Sequence, residues 1–218
     1  RIILMSSDCC NTDESNKNLK GLDHKDAIQE RYGSAALEKE SCLCTPVGFN
    51  PVLLEAIPEE VIERDYGCGD PTKYVQKNDI VLDLGSGSGK NAFICSQIVG
   101  EEGKVIGVDQ NPDMLKLSRS ASKKFSEKIG FNNTEFLGGS IENLDELDKD
   151  LNPLIADKSV DIILSNCVLN LVNPESRNNL LRNIKRVLKD KGRIAISDIV
   201  SSKKVPLRLQ NDHDLWTG

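Results

Sequence analysis

The sequence lacks several features that would announce a function by themselves. No apolar run approaches the ~20 residues that a membrane-spanning helix requires. The opening RIILM is too short for the core of a signal peptide, and no small-residue cleavage site follows it. Basic charge is in deficit, with 28 Lys and Arg against 34 Asp and Glu and a formal net charge of -6. A partner built on a nucleic-acid backbone is therefore not expected, because phosphate binding needs a basic face. Histidine is scarce: His24 and His213 are both far in sequence from the segments discussed below, which argues against a catalytic imidazole. No C-x-x-C pair or Cys/His spacing suggests structural zinc. The seven cysteines are odd in number and lack the dense, regular spacing of a secreted disulfide scaffold. Reduced thiols in a cytoplasmic protein are the expectation. The chain starts at Arg1 rather than Met, as a fragment would.

What is present suits a globular chain. Of 218 residues, 38% are hydrophobic and 28% charged, enough to bury a core in one domain with a small appendage. Residues 1–22 have no apolar period after the first five and read as a loose tail. Residues 23–75 read as an N-terminal cap: Asp23 caps a helix through about Leu37, with Ile28, Tyr32, Ala35 and Ala36 on one face. The stretch SCLCTPVGFNPVLLEAIP is expected to be a structured loop with a helical turn. Pro58 is expected at the first position of a helix PEEVIER that stops at DYGCGDP.

From residue 76 to 200 the pattern alternates strand and helix. IVLDLG reads as a strand buried on both faces, as does SVDIILSN through its DIIL core, and KVIGVD, TEFLGGS and RIAISDIV read as three more. Helices are expected from about Lys90 to Val99, from Asn111–Pro112 onward with apolar positions 114, 117, 121 and 125, and around Leu180, Leu181, Ile184, Val187 and Leu188. Lys189–Gly192 is expected to close the last of these. Such alternation predicts βαβ units, an α/β doubly wound and mostly parallel sheet. Residues 201–218 read as the start of a C-terminal region.

The turn Asp83-Leu-Gly85-Ser-Gly87-Ser-Gly89 is the most informative segment. Glycines between a buried strand and a helix let backbone come close to a ligand. A dinucleotide fingerprint places its third glycine one residue later, where Lys90 stands. A P-loop needs Ser or Thr after its Gly-Lys pair, but Asn91 follows Gly89–Lys90. D-x-G-x-G-x-G resembles instead motif I of class I S-adenosylmethionine (SAM) dependent methyltransferases, which have a Rossmann-like fold. Asp109 ends the next strand about 20 residues on, where a carboxylate can accept both ribose hydroxyls of a nucleoside.

Four other cysteines fall outside the regular core elements: Cys42 and Cys44, Cys68 in YGCG, and Cys167 just past the end of the fourth strand. Ligands bind along that edge of a doubly wound sheet. Cys95 reads as a small buried hydrophobe, and Cys9 and Cys10 lie in the tail. YGCG, VLDLGSGSG, SNCVLNLV and RVLKxxGRIAISDIV, with the cysteine pair before a proline-containing segment, together resemble the arsenite SAM methyltransferases over about residues 24–218. The resemblance implies SAM as cofactor, held by Asp83, Gly85, Gly87, Gly89 and Asp109. Gln110, Met114, Ser140, Ile141 and Asn166 occupy the further cofactor positions that it implies.

The resemblance also implies that trivalent arsenic is bound by the thiolates of Cys68 and Cys167 with Cys42 or Cys44, the choice within that pair being open. Cys68 and Cys167 are the expected catalytic residues. Soft, thiophilic arsenic suits such ligands, and its lone pair needs no general base. Arsenite or its thiol conjugates would be the substrate, with a thiol reductant as partner. The superfamily usually adds an antiparallel strand pair after the fifth strand, and the family a further cysteine soon after a segment like DHDLWTG. The chain is therefore expected to be truncated and incomplete as a catalyst. Two other readings stay open: a methyltransferase acting on carbon or oxygen of a small metabolite, and a thiol-based metalloid-binding protein without turnover.

Overall fold

The strand runs form a sheet because their side chains are apolar on both faces and find a layer of helix on each. In a computed structural model, which describes residues 23–38, 48–203 and 205–206, five strands pair in parallel. They are β1 (Ile80–Leu84), β2 (Lys104–Asp109), β3 (Thr134–Gly138), β4 (Val160–Asn166) and β5 (Leu188–Ser197), in the spatial order β3-β2-β1-β4-β5. The chain winds outward from β1 to β3, then returns to place β4 on the other side of β1. The gap between the ends of β1 and β4 is thus the point where strand order reverses, the usual crevice of such sheets.

Helices α1 (His24–Leu37), α2 (Pro51–Leu54), α3 (Glu59–Glu63), α4 (Lys90–Val99), α5 (Pro112–Ile129) and α6 (Arg177–Val187) surround the sheet. Val81, Val105, Ile162 and Leu164 point into one core layer with Phe93, Cys95 and Val99 of α4 and Phe125 of α5. Leu82, Leu84, Val108 and Ile163 point the other way, onto Leu180, Ile184 and Val187 of α6. Phe93 packs against both Phe125 and Phe136, at ring-centroid distances of 4.6 and 5.5 Å. The doubly wound parallel sheet is as expected from the sequence.

Local signals acted as read at several places. Asp23 caps α1 by accepting the N–H of Asp26 at 2.8 Å, and α4 spans the expected residues. Asn111 caps α5, its Oδ1 accepting N–H groups from Asp113 and Met114, with Pro112 in the first turn.

Several details differ from these expectations. Pro58 is the cap residue of α3 rather than its first helical residue. Lys189–Gly192 does not close α6; α6 passes directly into β5 at Leu188, whose N–H still bonds to the Ile184 carbonyl. Leu188 pairs with Val160, and the Lys189 ammonium meets the Asp161 carboxylate at 2.8 Å. Pairing with β4 therefore claims a segment whose composition suggests a cap. β5 starts five residues early and ends at Ser197 rather than Val200. Finally, Leu181 faces solvent at 61% exposure while Asn183 takes the buried place.

Candidate functional site

The C-terminal ends of β1 and β4 frame a cavity of about 180 Å³. Its floor is the glycine turn: Gly85, Ser86, Gly87 and Ser88 all line it. Gly89 caps α4 with φ at +93°, and a Cβ there would stand 2.9 Å from the Phe136 ring, so both conformation and space demand glycine. Asp109 ties the turn to β2. One carboxylate oxygen accepts the Gly87 N–H at 2.8 Å, the other the Asn111 N–H at 2.8 Å. Burial raises the Asp109 pKa, and these backbone bonds oppose the rise.

Asp83 lies beneath the turn, 1% exposed. Burial, with help from the nearby Asp65 and Asp109 carboxylates, raises its pKa to about 7. Among the described residues, the Asp83 Oδ2, Ser86 Oγ, Asn91 Oδ1 and Ser165 Oγ atoms are buried without a hydrogen-bond partner. Unpaired buried acceptors are costly. Ser86 and Asn91 line the cavity, and their unpaired oxygens suit a ligand rich in donors. Lys90 does not compete for that role: its ammonium pairs with Asp65 and lies 4.0 Å from the Phe49 ring centroid.

Not every expected residue reaches the cavity. Gly85, Gly87, Asp109, Gln110, Met114, Ile141, Asn166 and Cys167 line it; Asp83, Gly89, Ser140 and Cys68 do not. The Ser140 hydroxyl is turned to the Glu142 carboxylate. Cys42 and Cys44 lie outside the described residues, as do Cys9, Cys10 and His213. Sequence reasoning overlooked the roof. Lys25, Ile28, Gln29 and Tyr32 of α1 line the cavity, and Asn111 donates to the Gln29 carbonyl at 3.1 Å. Tyr66 donates its hydroxyl proton to the Ala35 carbonyl at 2.9 Å and meets the Tyr32 ring edge-on. The face Ile28–Tyr32–Ala35 was the available signal, since an apolar stripe on a cap needs something to cover.

Cys167 follows β4 in a left-handed conformation, φ +58°, which is uncommon for a residue with a side chain. Its N–H donates to the Ser197 carbonyl at 2.8 Å. This turns Cys167 toward Cys68, and the two form a disulfide with Cα atoms 5.7 Å apart. Contrary to the expectation of free thiols throughout, these two are oxidised here; Cys95 alone among the described cysteines is free, and it is buried as expected. Among the described residues no group of three or more His, Cys, Asp or Glu is placed to hold a metal ion, and no helix is long and apolar enough to cross a membrane.

The comparison with known proteins agrees with this geometry. A family model described as "Methyltransferase domain" matches residues 75–217, and the chain belongs to that family, with the class I methyltransferase fold. More particularly, the chain is similar to arsenite methyltransferases. It is 36% identical over 203 residues to that of Mus musculus, covering 88% of this chain and 52% of the relative. Identity to that of Halobacterium salinarum is 38% over 218 residues, covering 89% and 52%. The solved structure of an arsenic (III) S-adenosylmethionine methyltransferase from Chlamydomonas reinhardtii superposes with a TM-score of 0.69 at 33% identity, covering 78% of this chain and 55% of that one. The chain spans about half the length of the curated relatives it matches.

Proposed function

We propose that this chain carries the cofactor- and arsenic-binding part of a SAM-dependent arsenite methyltransferase. The observation that carries the reading is the juxtaposition of Cys68 and Cys167, 99 residues apart in sequence, at the strand edge that also holds the glycine turn. Opened by a thiol reductant, the pair becomes two thiolates within reach of one thiophilic ion. Cys42 or Cys44 would complete the ligand set. Cys167 is the member that faces the cavity, so arsenic held there stands at the cavity wall.

The cavity fits SAM on its own chemistry. Ser86 and Asn91 present acceptors without partners, Asp109 has lone pairs left for ribose hydroxyls, and Asp83 holds an unpaired carboxyl oxygen beneath the turn. Gln110, Met114 and Ile141 line the side where an adenine would lie. When bound, SAM supplies an electrophilic sulfonium methyl, which a lone pair on arsenic can accept without a general base. What the residues contribute is alignment and exclusion of water. Tyr32 and Tyr66 close the roof, and no imidazole is needed.

Residues 23–75 then serve as a cap, 76–200 as the methyltransferase core, and 201–218 as the lead into a further region. Substrate would be arsenite or its thiol conjugates in a reducing cytoplasm, with neither nucleic acid nor membrane as partner. The test is to incubate the protein with glutathione, arsenite and methyl-labelled SAM. Label recovered in methylarsenicals supports the proposal. SAM binding with no uptake of arsenite by the reduced thiols overturns it.

A further inference from the structure

The resemblance groups Asn166 with the cofactor contacts, yet its side chain is committed elsewhere. Its Oδ1 accepts the N–H groups of Cys68 and Gly69 at 3.0 and 3.1 Å, and its Nδ2 donates to the Gly69 carbonyl at 2.8 Å. Both lone pairs of the amide oxygen are thus used, along with one of its two N–H bonds. Three hydrogen bonds from one 8%-exposed side chain join the end of β4 to a loop some 97 residues away.

The glycines around Cys68 point to the same contact. A Cβ on Gly67 would stand 2.8 Å from the Asn166 Cγ, and one on Gly69 would stand 2.7 Å from the Ser197 Cβ. The loop therefore lies directly on Asn166 and Ser197, and glycine is needed on either side of the cysteine to let it settle there. Ser197 in turn holds Cys167, through the carbonyl that accepts the Cys167 N–H. One thiol-bearing residue is fixed by a main-chain bond within the sheet. The other depends on the Asn166 amide.

From this geometry we infer that Asn166 is the positioning residue of the thiol pair: its amide holds Cys68 at the distance from Cys167 at which both sulfurs can engage one ligand. This rests on the reading of the two cysteines as arsenic ligands, and it explains why a polar side chain is buried at the end of β4. A preorganised pair loses less freedom on binding than two independent thiols, so the amide acts by raising the effective concentration of one sulfur at the other.

The experiment uses neither arsenic nor SAM as its main readout. Wild type, Asn166→Ala and Asn166→Asp are equilibrated in glutathione buffers, where the protein disulfide and two glutathione thiols exchange for the protein dithiol and one glutathione disulfide. The fraction of Cys68–Cys167 disulfide is read by mass after alkylation. Asn166→Ala is expected to lower the equilibrium constant for disulfide formation at least tenfold. Asn166→Asp keeps the two accepted N–H bonds and loses the donated one, so a smaller drop, about threefold, is expected. If the alanine variant fails to fold, the aspartate variant carries the test. An unchanged constant in the folded variants overturns the inference. Wild-type protein that takes up no arsenite would overturn the functional reading while leaving this measurement intact.

Discussion

The glycine-turn half of the site is assembled from segments that follow one another along the chain: β1, its turn, α4, then β2 and the cap of α5. Each bond there spans at most a few tens of residues, as with Asp109 and Gly87. The thiol half is assembled from two loops 99 residues apart, brought together by β4 docking beside β1 and by one side-chain amide. The first half is stiff because its main chain is consumed by a strand-turn-helix unit. The second is only as exact as the packing of the sheet that carries it. Local construction suits a cofactor whose shape does not change. Construction from distant loops would suit the proposed role of the two sulfurs, which have to open to receive an ion and close around it.

Substitutions can separate the two halves. The largest effect belongs to the thiol side: Cys68→Ser or Cys167→Ser should weaken binding of a trivalent arsenical by about 10³-fold, roughly 4 kcal/mol, because the chelate loses one of its sulfurs. Titration with phenylarsine oxide under reducing conditions measures this, and SAM affinity should stay within a factor of about three. Asp109→Ala should do the reverse. Loss of its charged hydrogen bonds should cost about 100-fold in SAM affinity by calorimetry, about 2.7 kcal/mol, with arsenical uptake unchanged. If either substitution damages both halves equally, the division between them fails.

A third effect is smaller and depends on pH. The folded Asp83 carboxyl titrates at about 7, against about 3.9 when unfolded. Between these values the folded chain holds a proton that the unfolded chain has released, so stability falls as pH rises through that range and is level above it. From pH 5.5 to 7.5 this single group should remove about 2 kcal/mol of stability from the ligand-free protein. Asp83→Asn should abolish that slope in thermal melts. The smallest effect is expected at Cys95, a buried thiol outside both halves. Cys95→Ala should cost about 1 kcal/mol of stability and leave arsenical and SAM binding alone.

Legibility in the sequence follows the same division. The limits of α1, α4 and β2, the caps Asp23 and Asn111, and the glycine turn between β1 and α4 could be read because their causes lie within a few residues of each. Cys68 and Cys167 could be singled out one by one, from the loop and strand end that carry them. Their bond to each other could not, because it depends on β4 lying next to β1 and on the left-handed turn at Cys167. The bonds that Asn166 makes to Cys68 and Gly69 were hidden for a related reason: these partners leave no trace in its own neighbourhood. The bond from the Ser140 hydroxyl to Glu142, two residues on, was likewise not announced by its position after β3. At Lys189–Gly192 the composition of a helix end was overridden by pairing with β4.

The strand order also bears on how the protein is made. Cys68 leaves the ribosome about a hundred residues before its partner, and β1 can pair with β2 while β4 is still unmade. A parallel neighbour cannot form by a simple hairpin; it needs a completed crossover, which makes its insertion a late and slow event. Until β4 arrives, Cys68 is an uncommitted thiol on a nascent chain. Formation of the Cys68–Cys167 bond under an added oxidant therefore reports that β4 has docked beside β1, and its yield in pulse-labelled protein would time that docking.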